Sequence, residues 1–156
     1  MRVLLDANVV LDAIAAREPF KDDAQRIFRL VAHNELEGFL SANCVTDIYY
    51  IARKYLPDSE VRDALRKLFY FFTVIDLRGA DCEAALAQPM PDYEDAVVSI
   101  CARKAGAEYI VTRDEVFLKT SDTPQAISPS DFLKIFGRPF SSSMPFSTLT
   151  SSHESP

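Results

Sequence analysis

PDYEDAVVSICARKAGAEYIVTRD, residues 91–114, decides how this chain folds. Asp92 stands where a side-chain oxygen can cap a helix, and Asp95 follows three residues on, as in a capping box. Ala96, Val97, Ile100 and Cys101 then recur at helical spacing, with small residues around Ala102 that permit close packing. Gly106 suits the left-handed position just past a helix end. YIVT, residues 109–112, is a short β-rich apolar run, and Arg113 and Asp114 follow it at once. Helix, glycine turn and buried strand are the parts of a parallel α/β sheet. Acids mark both ends of the unit: Asp92, Glu94 and Asp95 at the helix start, Asp114 at the strand end.

The rest of the chain repeats this alternation. RVLL (2–5) reads as a buried strand that ends at Asp6-Ala7-Asn8, with a helix over 9–15. A helix over 21–34 is followed by a strand at GFLS (38–41). Asn43 is placed to cap a helix over 44–55, which puts Thr46 and Asp47 in its first turn. A helix over 58–70, a strand at FFTVID (71–76) and a helix over 81–87 lead to the opening stretch. Ala126-Ile127 reads as a short fifth strand, and Ser128-Pro129-Ser130-Asp131 starts a last helix over 132–136. The pattern predicts a three-layer α/β/α domain with a central, mainly parallel sheet of four to five strands over 1–136. Residues 137–156 turn rich in Ser, Thr and Pro and lose all period. They read as a flexible or partner-docked tail, with Phe140, Met144, Phe146 and Leu149 available to dock.

Bulk properties narrow the class. A hydrophobic share of 48% is ample for a core and argues against global disorder. The net charge of −6 argues against a broad nonspecific polyanion-binding surface. It leaves room for a nucleic-acid enzyme whose bound metal reverses the local sign of a carboxylate cluster. Three widely spaced cysteines without CxxC or Cys/His ligand spacing read as reduced thiols, Cys44 and Cys101 buried. No apolar run approaches a membrane span and no secretory leader is legible, so a soluble, cytoplasmic protein is expected.

In a parallel sheet the C-terminal ends of strands and the starts of the helices that follow share one edge, where α/β folds bind ligands. Asp6 and Asp114 end strands; Asp47 and Asp95 begin helices. Each has a bland alternative. Asp6 and Asn8 can cap a helix, and Asp47 can be a partner of the helix dipole. Asp95 starts a helix that follows another helix, so its edge depends on how that helix runs. If the acids converge, their mutual repulsion calls for a hard divalent cation, Mg²⁺ or Mn²⁺, which prefers oxygen ligands and keeps several waters. Such a centre suits phosphodiester hydrolysis. No P-loop or GxGxxG is present, and the histidines, His33 and His153, build no triad.

LLDANVVLD, SANCVTDIYY, DYEDAVVSICARKAGAEYIVTRD and ISPSDFLKIF together resemble the PIN domain family, in order and spacing, over about residues 1–136. The likeness is to bacterial toxin-type members, partners of small antitoxin proteins. It implies a Mg²⁺- or Mn²⁺-dependent endoribonuclease directed at single-stranded RNA. Asp6, Asp47, Asp95 and Asp114 match the family's acids, and Asn8 the polar residue that supports the first. The second acid is commonly Glu, so the shorter Asp47 is expected to reach metal through water. The fourth position varies between Asp and Asn, which leaves Asp114 a ligand or an outer acid. Asp92 is read as a helix cap, with metal binding as its alternative, and Glu94 as a bystander. Thr112 and Arg113 flank the fourth acid, and Arg113 is a candidate to contact phosphate or neutralise the acids.

Two other classes compete. One is a catalytically weak PIN-like module that works by binding protein or RNA. The other is a receiver-like phospho-acceptor, which expects a lysine where Arg113 stands. Tyr49, Tyr50, Phe69, Phe71 and Phe72 offer more aromatic surface than a small core needs, which suggests a homodimer.

Overall fold

The computed structural model describes residues 1–136; the tail reading for 137–156, including Phe140, Met144, Phe146 and Leu149, lies outside them. Five strands form the centre: β1 Arg2–Leu5, β2 Glu37–Ser41, β3 Phe72–Ile75, β4 Tyr109–Val111 and β5 Gln125–Ile127. All pair in parallel, in the order β3-β2-β1-β4-β5. Val3, Leu4, Leu5, Leu40, Ile110 and Val111 are fully buried, as a sheet covered on both faces requires.

The helices are α1 Ala7–Ile14, α2 Lys21–Ala32, α3 Ala42–Ala52, α4 Asp58–Phe71, α5 Gly79–Leu86, α6 Tyr93–Lys104, α7 Glu115–Thr120 and α8 Pro129–Phe136. They flank the sheet in a three-layer α/β/α arrangement. Helix α1 packs on α2 and α3, α2 on α8, and α5 on α6. Residues Ala96 to Ala102 of α6 are all buried, because α6 packs against both the sheet and α5. Small side chains make that possible without an amphipathic stripe. Gly106, at φ +63°, ends the helix in the left-handed region that a side chain would strain. Gly38 in β2 lies against the Phe72 ring so closely that a Cβ there would stand 2.5 Å from it. Glycine is what lets that ring stay where it meets Phe28, 5.1 Å away centre to centre.

Several local expectations need correction. Helix α3 starts at Ala42, because Ser41 closes β2 in an extended conformation (φ −81°, ψ 146°) and the chain turns at once. Asn43 is therefore inside the helix rather than its cap. Residues 115–120, passed over in the sequence, form α7. The aromatic set also divides: Phe72 is core, and Tyr49 and Phe71 are half-buried, while Tyr50, Phe69 and Tyr70 are exposed. Cys44 and Cys101 are buried free thiols, as expected, and burial pushes the Cys44 thiol up to about 12. Among the described residues no helix is long and apolar enough to cross a membrane.

The strand order reverses direction at β1 and β4, which makes the crevice beyond their C-terminal ends a topological switch point. Asp6 follows β1, and residues 112–114 follow β4.

Candidate active site

The site is built outward from Thr112, which is completely buried at the end of β4. Its backbone N–H donates to Ile127, so the sheet fixes its position. Its hydroxyl has one hydrogen and two acceptor sites. The Asn8 side-chain amide and the Asp114 backbone N–H both donate to Oγ1, at 3.2 and 3.1 Å. The single hydroxyl hydrogen must therefore go to Asp6 Oδ2, 2.8 Å away. Thr112→Val keeps the shape and strands all three partners. It is expected to lower stability by roughly 1–3 kcal/mol, measured by urea denaturation, with Thr112→Ser close to wild type.

Asp6 remains in the sheet ladder through its backbone N–H to Val111 and begins α1. Its Oδ1 accepts from the Ala7 N–H at 2.8 Å, and Oδ2 also accepts from Asn8 Nδ2 at 3.3 Å. Asp6 thus caps α1 and faces the site at once. Its burial raises its pKa; the Thr112 and Ala7 hydrogen bonds oppose the rise, and Asp114 and Asp47 add to it. Asn8 caps nothing: its Oδ1 accepts the Arg113 N–H at 3.1 Å, tying the start of α1 to the β4–α7 turn. That contact also fixes which way the amide faces.

Asp114 caps α7, accepting from Val116 and Phe117 N–H through Oδ1. Asp92 caps α6, accepting from the Asp95 N–H at 3.1 Å. Helix α6 leads into β4, so it begins at the same edge where β1 and β4 end. This places Asp95 where its field reaches Asp114 and Asp6. Burial, then Asp92, Asp114 and Asp6, push its carboxyl up to about 7.

Asp47, Thr46 and Glu94 differ from the sequence expectation. Asp47 is the sixth residue of α3 rather than a first-turn acid, so it is no dipole partner. Thr46 is exposed, and its hydroxyl donates to the Asn43 carbonyl of its own helix; among the described residues no hydrogen bond links it to the acids. Glu94, read as a bystander, lies close enough to Asp47 for the two carboxyls to share a proton. That contact, then burial and the charges of Asp47, Asp6 and Asp92, push Glu94 up to about 7.

Arg113 makes no ion pair with these acids among the described residues. Its guanidinium pairs with Asp12, and its centre lies 3.7 Å from that of the Phe20 ring. Among the described residues no ion pair involves Asp6, Asp47, Glu94, Asp95 or Asp114. The donor set is all oxygen and carries like charge, which matches a hard cation such as Mg²⁺ or Mn²⁺ and disfavours zinc-type chemistry. Among the described residues no three His, Cys, Asp or Glu side chains form a closed metal-binding group. An oxygen site for Mg²⁺ needs none, because that ion keeps several of its waters.

The raised carboxyls give a sign to the pH dependence without metal. Unfolded carboxyls titrate near ~4, whereas Glu94 and Asp95 hold protons in the folded state up to about 7. The folded state binds more protons between those values, so stability falls as pH rises through that window. Acids stabilised by hydrogen-bonded and charged partners act oppositely and lower down: Asp58, held at about 2 by Tyr49 and Arg62, adds stability that builds between about pH 2 and ~4 and is complete above that. In EDTA, the melting temperature is expected to fall from pH 5 to pH 8, and to fall less in Asp95→Asn. A wild type that grows more stable over this range contradicts the assignment.

A PIN domain family model matches residues 2–115. The chain belongs to the PIN domain family. Its sequence is 22% identical over 121 residues to Ribonuclease VapC1 of Aquifex aeolicus (strain VF5), covering 74% of this chain and 83% of that protein. Its fold is similar to that of VapBC2 from Rickettsia felis, in a crystal structure bound to a DNA fragment from their promoter. The TM-score is 0.60 at 16% identity, over 82% of this chain and 98% of that one. It is also similar to PAE2754 from Pyrobaculum aerophilum, with TM-score 0.57 and 17% identity, over 86% and 88% of the two chains. The PIN match ends at Glu115, just past Asp114, so it spans every acid of the site.

Proposed function

We propose that this PIN domain is a metal-dependent endoribonuclease that hydrolyses single-stranded RNA, and that it is the toxin of a toxin–antitoxin pair acting in the cytoplasm. What supports this reading is that Asp6, Asp47, Glu94, Asp95 and Asp114 lie close enough around the switch point for their charges to act on one another, with no ion pair to any of them among the described residues. The similarity to Ribonuclease VapC1 supports RNA as substrate. The similarity to VapBC2 supports a small antitoxin as partner. Exposed Tyr50, Phe69 and Tyr70 support a homodimer through α3 and α4.

Asp6, Asp95, Asp114 and Asp47 would hold Mg²⁺ or Mn²⁺, with Glu94 alongside Asp47. A bound ion supplies Lewis acidity and a water activated near neutral pH. The chain's own residues do the positioning. Thr112, Asn8 and the Ala7 N–H orient the Asp6 carboxylate before any ligand arrives. The cap bonds of Asp114 leave Oδ2 for the crevice. Without a cation, burial and neighbouring acids push the Glu94 and Asp95 carboxyls up to about 7; a bound divalent ion would favour their charged, ligating form.

The test is a fluorogenic single-stranded RNA incubated with the protein in Mg²⁺, in Mn²⁺ and in EDTA, beside the DNA of the same sequence. The expected result is RNA cleavage with either ion and none in EDTA. RNA left intact under all conditions by a folded protein rejects the nuclease reading and favours a binding module.

A further inference from the structure

Asp12 lies outside the acids described above, and the proposed chemistry does not use it. It sits on α1, four residues beyond Asn8, and is completely buried. A buried carboxylate is unfavourable unless it is paired and hydrogen-bonded. Asp12 has two guanidinium partners from separate parts of the chain. Arg17, in the connection after α1, brings Nε to 2.9 Å from Oδ1 and donates from Nη2 to the Asn8 carbonyl at 3.1 Å. Arg113, between β4 and α7, makes a two-point contact, Nη2 to Oδ1 at 3.0 Å and Nε to Oδ2. The Phe20 ring lies against Arg113, and the Tyr55 ring stands 6.0 Å from Arg17.

Arg113 is thus held twice, its side chain by Asp12 and its backbone N–H by Asn8. Its neighbours are Thr112, which holds Asp6, and Asp114. Whatever fixes Arg113 fixes the spacing of Asp6 and Asp114. The same contacts engage two arginines close to a group of unpaired carboxylates, where a free guanidinium would compete with a divalent cation.

We propose that Asp12 is a positioning residue: through Arg113 it holds the β4–α7 turn against α1, sets the spacing of Asp6 and Asp114, and keeps two guanidinium groups off the acids. Its consequence for catalysis rests on the nuclease reading, whereas its consequence for the turn does not. Asp12→Asn keeps the size and removes the charge. Arg113→Gln removes the other partner while Arg17 still pairs Asp12, so it protects the test if Asp12→Asn fails to fold.

The first readout is hydrogen exchange of the Arg113 backbone amide by NMR, which needs no activity. It is expected to speed by about tenfold or more in either variant, with the β1 and β2 amides unchanged. The second readout is Mn²⁺ binding followed by EPR, with kcat and KM on single-stranded RNA. Binding is expected to weaken by about tenfold, kcat to fall and KM to hold. The double variant should be no worse than the more affected single one, because the two residues act as one unit. A folded Asp12→Asn or Arg113→Gln protein with wild-type exchange at Arg113 overturns the proposal. So does a loss confined to melting temperature, with exchange, Mn²⁺ binding and kcat unchanged. A wild type that neither binds Mn²⁺ nor cleaves RNA rejects the nuclease reading instead, and the exchange result alone then decides the role of Asp12.

Discussion

Asp95→Asn is expected to give a folded protein that is more heat-stable than the wild type at pH 8 and has lost RNA cleavage. The two effects share one cause. The Asp95 carboxyl is pushed up to about 7 by burial and by Asp92, Asp114 and Asp6, so its charge is unfavourable in the metal-free fold. Among the described residues its side chain has no hydrogen-bond partner to lose; the cap contact uses its backbone N–H. The amide removes repulsion and leaves packing alone. It also removes a charged oxygen that the proposed cation needs. Partners that merely orient metal ligands are worth about 10–100-fold in affinity or activity, so loss of a ligand is expected to exceed about a hundredfold. Thermal melts in EDTA at pH 5 and pH 8 should show the gain only at pH 8, where the wild-type group is ionised. A variant that is active, or less stable at pH 8, contradicts the role given to Asp95.

Asp6→Asn is expected to lose cleavage by at least about a hundredfold with no such gain in stability. Asp6 differs from Asp95 in that donors surround it. The Ala7 N–H meets Oδ1, and the Thr112 hydroxyl and the Asn8 amide meet Oδ2. An amide has only one acceptor oxygen, so its NH₂ must face at least one of these donors. Thr112 cannot adapt by turning its hydrogen elsewhere and accepting, because Asn8 and Asp114 already fill its acceptor sites. Relief of charge is thus offset by unmatched donors. The melting temperature at pH 8 should be at or below that of the wild type. The contrast between the two variants separates a carboxylate held by a built network from one held in place by its helix alone.

How far the sequence could show this depends on which signal each residue left. The strands were legible because double-sided burial leaves unbroken apolar runs such as RVLL and YIVT. Asp6 and Asp114 were legible because they stop those runs. The cap at Asp92 followed from its spacing to Asp95. The start of α3 was not legible: Ser41 and Asn43 are both good cap residues, and only the sheet register showed that Ser41 is still strand. Helix α7 left no period, since Phe117 is its one buried residue. Glu94 and Asp95 are adjacent and point about 100° apart, so no spacing argument says which of them faces Asp47. Asp12 did leave a sign. It is an acid amid Val9, Val10, Leu11 and Ala13 on a buried helix, and such a group demands a partner. That Arg17 and Arg113 answer it required the fold.

In the proposed function the acids of β1–α1, α3, α6 and the β4–α7 turn act as one cation-dependent centre on RNA. Single-turnover cleavage of a single-stranded RNA across a Mn²⁺ titration, for the wild type, Glu94→Gln and Asp6→Asn, tests it most directly. The expected result is a saturable rise with Mn²⁺ in the wild type, a curve displaced to higher Mn²⁺ in Glu94→Gln, and no cleavage at any concentration in Asp6→Asn. Cleavage in EDTA at the wild-type rate, or superimposable curves for all three proteins, would contradict it.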